Sequence, residues 1–427
     1  MNILILGSGG REHTLAHQIS KSPNCGALFV APGNAGTLSC ATNLDVDILN
    51  FEEVGQCILA NDIQLLVVGP EAPLVEGIKD YFEDKPEFST LKIIGPSKQG
   101  ALLEGSKERA KEFMKAHQVP TAAYQSFNKH NLDEGKSFLA KMQAPFVLKA
   151  DGLAGGKGVL ILDDLKAAQD ELENMLTNQK FGKASEKVVV EEFLDGIELS
   201  VFVLTDGKNY LTLPNAKDYK RIGEGDTGLN TGGMGAISPV PFADQAFMEK
   251  VDQKIVKPSI DGLHKENIDF TGFLFIGLMK VGDEPFVVEY NVRMGDPETE
   301  VVIPRIKNDL LDILNKTANG TIQDITLDVD TQHAATVMLV SGGYPEAYEK
   351  EKVISGLDAI QNSNDIFVCH AGTKLKNDQV VTNGGRVIAV TGFGNHFQSA
   401  LEKAYTQIET IDFDNMYFRK DLGKDLV

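Results

Sequence analysis

The chain has 427 residues, of which 42% are hydrophobic and 24% charged, values typical of a globular protein with a buried core. Its 41 basic and 61 acidic residues give a formal net charge of −20, which disfavours a nucleic-acid backbone or an anionic membrane as a partner. Any phosphate site must therefore be local, built from a few basic side chains and backbone amides. The length predicts about three domains.

The N-terminus and the cysteines favour a cytoplasmic protein. The opening "MNILILGSGG" has no basic segment and turns to glycine after a few apolar residues, which indicates a buried first strand rather than a signal peptide. No apolar run approaches the length that spans a membrane. The four cysteines (Cys25, Cys40, Cys57 and Cys369) show no C-x-x-C spacing, so we expect reduced thiols.

Residues 1–101 are predicted to form an N-terminal α/β domain. The apolar runs "NILIL", "ALFV", "LLVVG" and "LKIIG" indicate strands, and helical patterns such as "REHTLAHQISK" and "FEEVGQCILA" lie between them. This alternation predicts a parallel, Rossmann-like sheet with helices on both faces. A helix from about Ser97 to His117 is predicted next, capped by Ser97 and ending before Pro120.

Two further domains are predicted, one over residues 102–330 and a small β-rich one over residues 331–427. Within the first, a small α/β lid at about 122–192 contains "FVLKA", "GVLIL" and "KVVVEEF". The runs "ELSVFVL", "GFLFIGLMKV" and "PFVVEYNV" predict a larger sheet, with a long helix near 243–266 between the first two. The fold class is therefore α/β.

A first glycine loop, "GSGGREH" (7–13), lies between the first strand and the first helix. It does not fit a dinucleotide fingerprint, because Glu12 stands where the third glycine would be and the second strand ends without an acidic residue. A similar turn, "VGPEAPL" (68–74), should lie at the same edge of the sheet, and the pair favours a small phosphorylated ligand. For the first loop taken alone, the alternative is a tight structural turn between strand and helix.

A second glycine loop, "KADGLAGGKGV" (149–159), joins two strands. It is not a P-loop, because Gly158 opens a strand rather than a helix. We interpret it as a mobile flap whose amides and Lys157 close over a polyphosphate, with Lys149 as a fixed positive charge. The alternative is a flexible hairpin with solvated lysines.

Two later segments supply the other groups that a nucleotide site needs. "VVVEEFLDGIE" (188–198) ends a strand beside several acids, which suits an adenine edge and ribose hydroxyls. In "VVEYNVRMGDPETE" (287–300), strand alternation places Glu289 and Asn291 on one face as oxygen ligands for Mg²⁺. Arg293 comes next on that face and could pair with a transferring phosphoryl group.

With these motifs the chain resembles the glycinamide ribonucleotide synthetases (phosphoribosylamine–glycine ligases) of the ATP-grasp superfamily. The resemblance runs from Gly7 to Gly423 and includes "APGNAGT", "LEGSK", "NTGGMGAISPVP", "HAGTK", "VTNGGRV" and "FRKDLG". It implies a pre-ATP-grasp N-terminal domain, an ATP-grasp fold with a lid, and a β-rich C-terminal domain. It also implies that ATP activates glycine as glycyl phosphate, which the amine of 5-phosphoribosylamine attacks in the second step of purine synthesis.

The resemblance further implies roles for individual residues. The catalytic set is Arg293, Lys149 and Asp218, and Glu289 with Asn291 would hold Mg²⁺ or Mn²⁺. The ATP-binding set is Lys107, Lys149, Gly155, Gly156, Lys157, Gly158, Glu191, Glu192, Phe193, Leu194 and Glu198. The phosphoribosylamine-binding set is Gly9, Gly10, Gly69, Pro70 and Glu71. The glycine-binding set is Asp218, Lys220, Arg221, Gly232 and Gly233.

One segment departs from the family pattern, and other functions stay open. Where the family usually has Gln-Asp-His, this chain has Lys217, Asp218 and Tyr219. Another ATP-grasp carboxylate–amine ligase, a nucleotide-dependent oxidoreductase and a non-catalytic ATP sensor are the alternatives. We expect a cytoplasmic monomer that acts on small molecules and binds neither nucleic acid nor membrane.

Overall fold

In the computed structural model, which describes residues 1–360 and 365–426, strands and helices alternate up to Pro96, as predicted. The elements are β1 (Ile3–Gly7), α1 (Gly10–Ile19), β2 (Leu28–Pro32), β3 (Thr42–Asn43), α2 (Phe51–Ala60), β4 (Leu65–Val68), α3 (Glu71–Glu76), α4 (Ile78–Glu83) and β5 (Lys92–Pro96). The five strands pair in parallel in the order β3-β2-β1-β4-β5. Because β1 and β4 are neighbours, the turns that follow them lie side by side.

The prediction of a single helix over residues 97–117 is wrong. The chain forms α5 (Lys98–Gly105) and α6 (Lys107–Ala116), with extended backbone at Ser106 between them. Ser97 caps α5 as predicted, accepting a hydrogen bond from Gly100 N. The break occurs because the Ser106 hydroxyl caps α6 and also donates to Asp151, which lies 45 residues away in the flap.

The lid is a four-stranded sheet in the order β6-β9-β7-β8, with two helices packed on it. Its elements are β6 (Tyr124–Asn128), α7 (Leu132–Leu139), β7 (Phe146–Ala150), β8 (Val159–Leu162), α8 (Leu165–Thr177) and β9 (Lys187–Glu192). The strands β7 and β8 form an antiparallel pair in which Lys149 is opposite Val159. The second glycine loop therefore connects two adjacent strands, as predicted.

The larger predicted sheet is continuous with the N-terminal one. Its elements are β10 (Ile197–Thr205), β11 (Tyr210–Thr212), α9 (Gln245–Val251), α10 (Lys257–Lys265), β16 (Phe270–Val281) and β17 (Glu284–Asn291). The start of β16 pairs with β5 through Phe270 and Thr271, so nine described strands form one sheet. Apolar side chains from both parts, among them Leu66 and Ile276, share one core. The predicted helix near 243–266 is present, with a π-helical turn at Asp252–Val256.

The C-terminal sheet includes strands from the middle of the chain. The remaining elements are β12 (Lys217–Asp218), β13 (Arg221–Gly223), β14 (Thr227–Asn230), β15 (Gly235–Ser238), α11 (Thr299–Val302), α12 (Leu310–Ala318), β18 (His333–Val340), β19 (Ile366–His370), β20 (Thr373–Lys376), β21 (Gln379–Thr382), β22 (Arg386–Gly394) and α13 (Phe397–Ile408). The sheet order is β12-β15-β18-β22-β19. The "NTGGMG" turn before β15 therefore lies against the C-terminal sheet. Every helix in the described part of the chain is too short or too polar to span a membrane.

Candidate active site

The end of β17 carries three predicted site residues in a row. Glu289 and Asn291 lie two residues apart in the strand, and Arg293 follows just beyond it. Gly277 of β16 is directly opposite Glu289, and a Cβ there would lie 3.2 Å from Glu289 Cγ. The glycine therefore leaves space for the carboxylate to extend over the sheet.

A bulge in β17 connects this row to the lid. The pairing with β16 shifts between Gly277 and Leu278, which leaves Val288 as the extra residue of β17. The Val288 carbonyl accepts a hydrogen bond from Lys149 Nζ at 3.2 Å. The bulge thus fixes the lid lysine beside the strand that carries Glu289.

Lys149 also belongs to a buried charged cluster. Its Nζ lies 2.9 Å from Glu191 Oε2, and Lys111 Nζ lies at the same distance from that oxygen. Burial lowers the pKa of Lys111 to about 8, although Glu191 acts in the opposite direction. The other oxygen of Glu191, Oε1, is buried and has no hydrogen-bond partner among the described residues. Glu191 is thus held by two lysines while one acceptor stays open.

Lys107 completes the positive charge at the base of the flap. Its Nζ donates to Gly152 O at 3.2 Å, a contact that depends on the break at Ser106. Burial lowers the pKa of Lys107, and Glu289 opposes that effect. A cavity of about 30 Å³ lined by Lys107, Lys111, Glu191 and Glu289, among others, lies between α6, β9 and β17. Two lysines and two carboxylates therefore face one small space.

At the end of β9 the chain becomes exposed to solvent. Glu192 Oε1 accepts a hydrogen bond from Ala123 N at 3.1 Å, and the Phe193 side chain is exposed. The predicted adenine segment, Glu191 to Leu194, is therefore a strand end with an exposed aromatic residue beside the lysine cluster.

The flap reaches from the lid to two other parts of the molecule. Gly155 and Gly156 have φ of +55° and +76°, backbone angles that favour glycine. A Cβ on Gly156 would come near only Thr231 O, at 3.7 Å, in the "NTGGMG" turn. Lys157 Nζ lies 3.5 Å from Pro345 O in the C-terminal domain. The tip of the flap, Gly155 to Lys157, is therefore exposed and has few contacts.

Arg293 joins β17 to the N-terminal domain. Its Nη2 donates to Glu104 Oε1 at 2.7 Å and to Asn291 Oδ1 at 3.3 Å, and its Nε lies 3.5 Å from Glu71 Oε2. Burial raises the pKa of Glu104, whereas the charges of Arg293 and Arg11 outweigh burial and lower the pKa of Glu71. The arginine thus links a predicted metal ligand to a predicted phosphoribosylamine residue.

Glu12 organises the two N-terminal turns, a role that sequence reasoning missed. Its Oε2 accepts from Gly9 N and its Oε1 from Arg11 Nε, both at 2.6 Å. A Cβ on Gly69 would clash with the same carboxylate. The residue that excludes a dinucleotide fingerprint therefore packs between the turns after β1 and β4, against Gly69 beside Pro70.

Two residues predicted to bind the substrate glycine, Asp218 and Lys220, form a polar cluster with Glu198, the predicted ribose carboxylate. Lys220 Nζ lies 2.7 Å from Glu198 Oε2 and 3.3 Å from Asp218 Oδ1. Burial raises the pKa of Asp218. Burial and then the nearby Asp218 raise the pKa of Glu298 to about 7. Arg221, the next predicted residue, instead donates to Gly228 O at 2.8 Å within the β13–β14 hairpin.

The buried Glu298 predicts a pH-dependent stability. Its pKa rises from 4.5 in the unfolded chain to about 7 in the folded protein, so the folded state holds a proton that the unfolded state releases. Stability from this group is present below pH 4.5 and is lost as the pH rises toward 7. The glutamine in Glu298→Gln does not titrate, so the variant avoids the stability loss that wild type suffers as the pH rises. The difference in free energy of unfolding, variant minus wild type, should therefore increase by on the order of 2 kcal/mol between pH 5 and pH 8.

Urea unfolding at the two pH values measures this difference. Glu409→Gln, which removes an exposed carboxylate at the end of α13, controls for the loss of one charge. An equal change in both variants would contradict a protonated Glu298.

Lys217 and Tyr219, which depart from the family pattern, both contact Asp425 near the end of the chain. Lys217 Nζ lies 2.8 Å from Asp425 Oδ2, and the Tyr219 hydroxyl donates to Asp425 Oδ1 at 2.8 Å. Strand alternation then places Asp218 on the opposite side from both residues. The substituted residues therefore bind the C-terminal tail and leave Asp218 in the polar cluster.

Gly232 and Gly233 contact residues to which the sequence analysis gave no role. Arg386 Nη1 donates to Gly232 O at 2.6 Å, and the Tyr344 hydroxyl accepts from Gly232 N at 3.0 Å. The available signal was the motif "VTNGGRV", which contains Arg386 but shows no periodic pattern. The C-terminal domain therefore contributes to the surroundings of the predicted glycine site.

Comparison with known proteins assigns the whole arrangement to one family. Residues 1–104, 105–299 and 334–425 match the N domain, the ATP-grasp (A) domain and the C domain of phosphoribosylglycinamide synthetase. The chain belongs to the phosphoribosylglycinamide synthetase family. This confirms the resemblance and the α/β, ATP-grasp fold class predicted from the motifs.

Relatives of the family match over nearly their full length. A phosphoribosylamine–glycine ligase from Caldanaerobacter subterraneus is 41% identical over 423 residues, covering 99% of both chains. One from Vibrio cholerae is 42% identical, covering 99% of this chain and 98% of that one. The crystal structure of phosphoribosylamine–glycine ligase from Thermotoga maritima has a TM-score of 0.84 at 33% identity, covering 99% of this chain and 100% of that one.

Proposed function

We propose that this ATP-dependent carbon–nitrogen ligase joins glycine to 5-phospho-D-ribosylamine through the residues of β17, the lid and the N-terminal turns. The product is glycinamide ribonucleotide, with ADP and phosphate, in purine biosynthesis. The observation that carries the proposal is Arg293, which contacts both Asn291 and Glu71 and so connects the ATP side of the site to the N-terminal turns. Because the family is one of ligases, the oxidoreductase alternative is set aside.

The reaction has two balanced steps. A carboxylate oxygen of glycine attacks the γ-phosphorus of ATP, the bond to the β,γ-bridging oxygen breaks, and ADP leaves. The amine of phosphoribosylamine then attacks the carbonyl carbon of glycyl phosphate, the carbon–oxygen bond to the phosphoryl group breaks, and phosphate leaves as the nitrogen loses a proton. Phosphoryl transfer of this kind depends mainly on positioning and on neutralising charge.

The residues on β17 fit a divalent cation. Glu289 and Asn291 offer a carboxylate and an amide oxygen from one strand face, and Gly277 leaves space beside the carboxylate. Mg²⁺ or Mn²⁺ would share these two protein ligands with the nucleotide phosphates, because Mg²⁺ is usually held by one or two protein ligands together with substrate phosphates and water. When bound, the ion would neutralise phosphate charge.

The lid, together with Lys107 of α6, is proposed to bind ATP. Lys107 and Lys149 place positive charge at the base of the flap, and the amides of Gly155 to Gly158 with Lys157 would close over the phosphates. The strand end from Glu191 to Leu194 would meet adenine. Glu198 would accept the ribose hydroxyls once it is released in part from Lys220.

The N-terminal turns and the polar cluster are proposed to bind the other two substrates. Gly9, Gly10, Gly69, Pro70 and Glu71 would hold phosphoribosylamine beside Arg293. Glycine would be held by the set Asp218, Lys220, Arg221, Gly232 and Gly233. Arg293 would orient the carboxylate of the bound glycine, and Asp218 would orient its amine.

We also propose the wider setting of the enzyme. The proposed division is into residues 1–101, 102–330 and 331–427, with a lid at about 122–192. The residues proposed to bind phosphoribosylamine lie in the first part, and those proposed to bind ATP and glycine lie in the second. We propose a cytoplasmic monomer that binds neither nucleic acid nor membrane. The net charge of −20 supports the last two points, because it repels a nucleic-acid backbone and an anionic membrane.

Omission of single substrates tests the function. ADP and amide product are measured with ATP, glycine and freshly generated phosphoribosylamine, leaving out each in turn. We expect amide only when all three are present. Robust turnover with another amino acid and none with glycine would refute the proposal.

The flap predicts a separate effect on nucleotide binding. Gly156→Val forces a β-branched residue into a positive φ and should reduce kcat or raise the KM for ATP more than it reduces stability. Gly182→Val is the matched control, because Gly182 has φ of +60°, open space around it and a position in the lid outside the flap. Hydrogen exchange over residues 150–159 should slow when a non-hydrolysable ATP analogue is added. Equal kinetics in the two variants, or slow exchange without nucleotide, would show that the loop is a structural turn.

A further inference from the structure

Arg386, at the start of β22, lies where turns from three parts of the chain meet. Its Nη1 donates to both Gly232 O and Asp296 O at 2.6 Å, and its Nη2 lies 2.9 Å from Asp296 Oδ1. The side chain is only 20% exposed. One guanidinium therefore binds the "NTGGMG" turn and the Asp296 turn that follows β17.

The two glycines of the "NTGGMG" turn are required by this packing. A Cβ on Gly232 would lie 2.9 Å from Arg386 Cζ. Gly233 has φ of +120°, and a Cβ there would clash with the Pro297 ring. The backbone of Gly232 and Gly233 thus packs closely between Arg386 and Pro297. Tyr344 of the C-terminal domain accepts a hydrogen bond from Gly232 N.

Asp296 extends the same contact to the N-terminal domain. Its Oδ2 accepts a hydrogen bond from Arg11 N at 3.2 Å, and a Cβ on Gly9 would lie 2.9 Å from that oxygen. One carboxylate oxygen therefore meets Arg386 and the other meets the first glycine loop. The turn proposed to hold glycine and the loop proposed to hold phosphoribosylamine are both fixed to one ion pair.

We propose that Arg386 is a positioning residue that sets the distance between glycyl phosphate and the attacking amine. The inference rests on the proposed function of the two loops. The two bound reactants must lie close together and aligned for the amine to attack quickly. A displacement of about 1 Å lowers the rate of such a step by on the order of a hundredfold. When the amine is misplaced, water attacks the same carbonyl carbon and returns glycine and phosphate. ATP is then consumed without forming amide.

Arg386→Lys tests the proposal, because lysine keeps the charge but lacks the planar fork that reaches two carbonyls and a carboxylate. We expect the ratio of ADP to amide to rise severalfold above one. Amide formation should fall by on the order of tenfold to a hundredfold, with the KM for ATP unchanged. Arg305→Lys is the matched control: Arg305 is buried and bonds to Ser238 Oγ, Gln332 O and Asp330 O, outside these turns. It should lower thermal stability while the ratio stays at one.

The outcomes separate this inference from the proposed function. Wild-type enzyme that forms no amide from the three substrates would refute the function. Coupled wild-type enzyme together with a coupled Arg386→Lys variant of normal kcat would overturn the role of Arg386. If Arg386→Lys does not fold, Asp296→Asn decides, since it removes the charge that pairs with Arg386 Nη2 and keeps the Asp296 carbonyl that accepts from Arg386 Nη1. A raised ratio in Asp296→Asn supports the proposal, and a ratio of one overturns it.

Discussion

Replacing Glu289 with alanine is expected to lower kcat by about a hundredfold or more while the fold stays intact. Glu289 is the negatively charged side chain of the Glu289–Asn291–Arg293 row. It lines the same cavity as Lys107. Without it, the proposed cation loses its charged protein ligand and the γ-phosphoryl group loses part of its neutralisation. Steady-state kinetics at saturating ATP, glycine and phosphoribosylamine measure the effect.

Glu284→Ala is the matched control for this variant. Glu284 begins the same strand but lies at the surface, where it pairs with Lys250 and Lys254. Exposed ion pairs of this kind contribute little to stability, so we expect nearly normal kcat and thermal unfolding. A folded Glu289→Ala enzyme with turnover close to that of Glu284→Ala would rule out the assignment of Glu289.

Lys149→Met is expected to lower kcat/KM for ATP by on the order of a hundredfold. The lysine is buried, is fixed by the Val288 bulge, and stands at the base of the flap, where phosphates would approach. Methionine preserves much of its volume but removes the charge. Nucleotide affinity measured by calorimetry, together with kcat, separates binding from chemistry.

Lys111→Met provides the comparison, because Lys111 pairs with the same oxygen of Glu191 from the other side. Its Nζ also donates to Thr121 Oγ1, away from the flap. We expect a smaller loss of kcat/KM than in Lys149→Met, with a similar loss of stability since each variant removes one partner of a buried carboxylate. Equal kinetic losses would show that Lys149 acts only by neutralising Glu191.

Features encoded locally could be predicted from the sequence. The apolar runs marked the strands on both sides of the second glycine loop, and period-two alternation placed Glu289 and Asn291 together. The cap at Ser97 was also predictable from the residues that follow it. In each case the signal lies in the residues that form the structure or in those directly beside them.

Features that depend on distant partners could not be predicted. Helical periodicity continues through Ser106, and the break there needs Asp151. The joining of two sheets rests on two residue pairs between β5 and β16, which carry no local pattern. Arg386 meets Gly232 across 154 positions of sequence, so its role emerges only when the turns are brought together.

The transfer of oxygen from glycine to phosphate tests the central claim most directly. Glycine labelled with ¹⁸O in both carboxylate oxygens is turned over with ATP and phosphoribosylamine, and the inorganic phosphate is analysed by mass spectrometry. If the carboxylate attacks the γ-phosphorus and the amine then displaces phosphate, each phosphate carries one labelled oxygen and each amide retains the other. Unlabelled phosphate formed in step with amide would contradict an acyl phosphate and with it the account of the site.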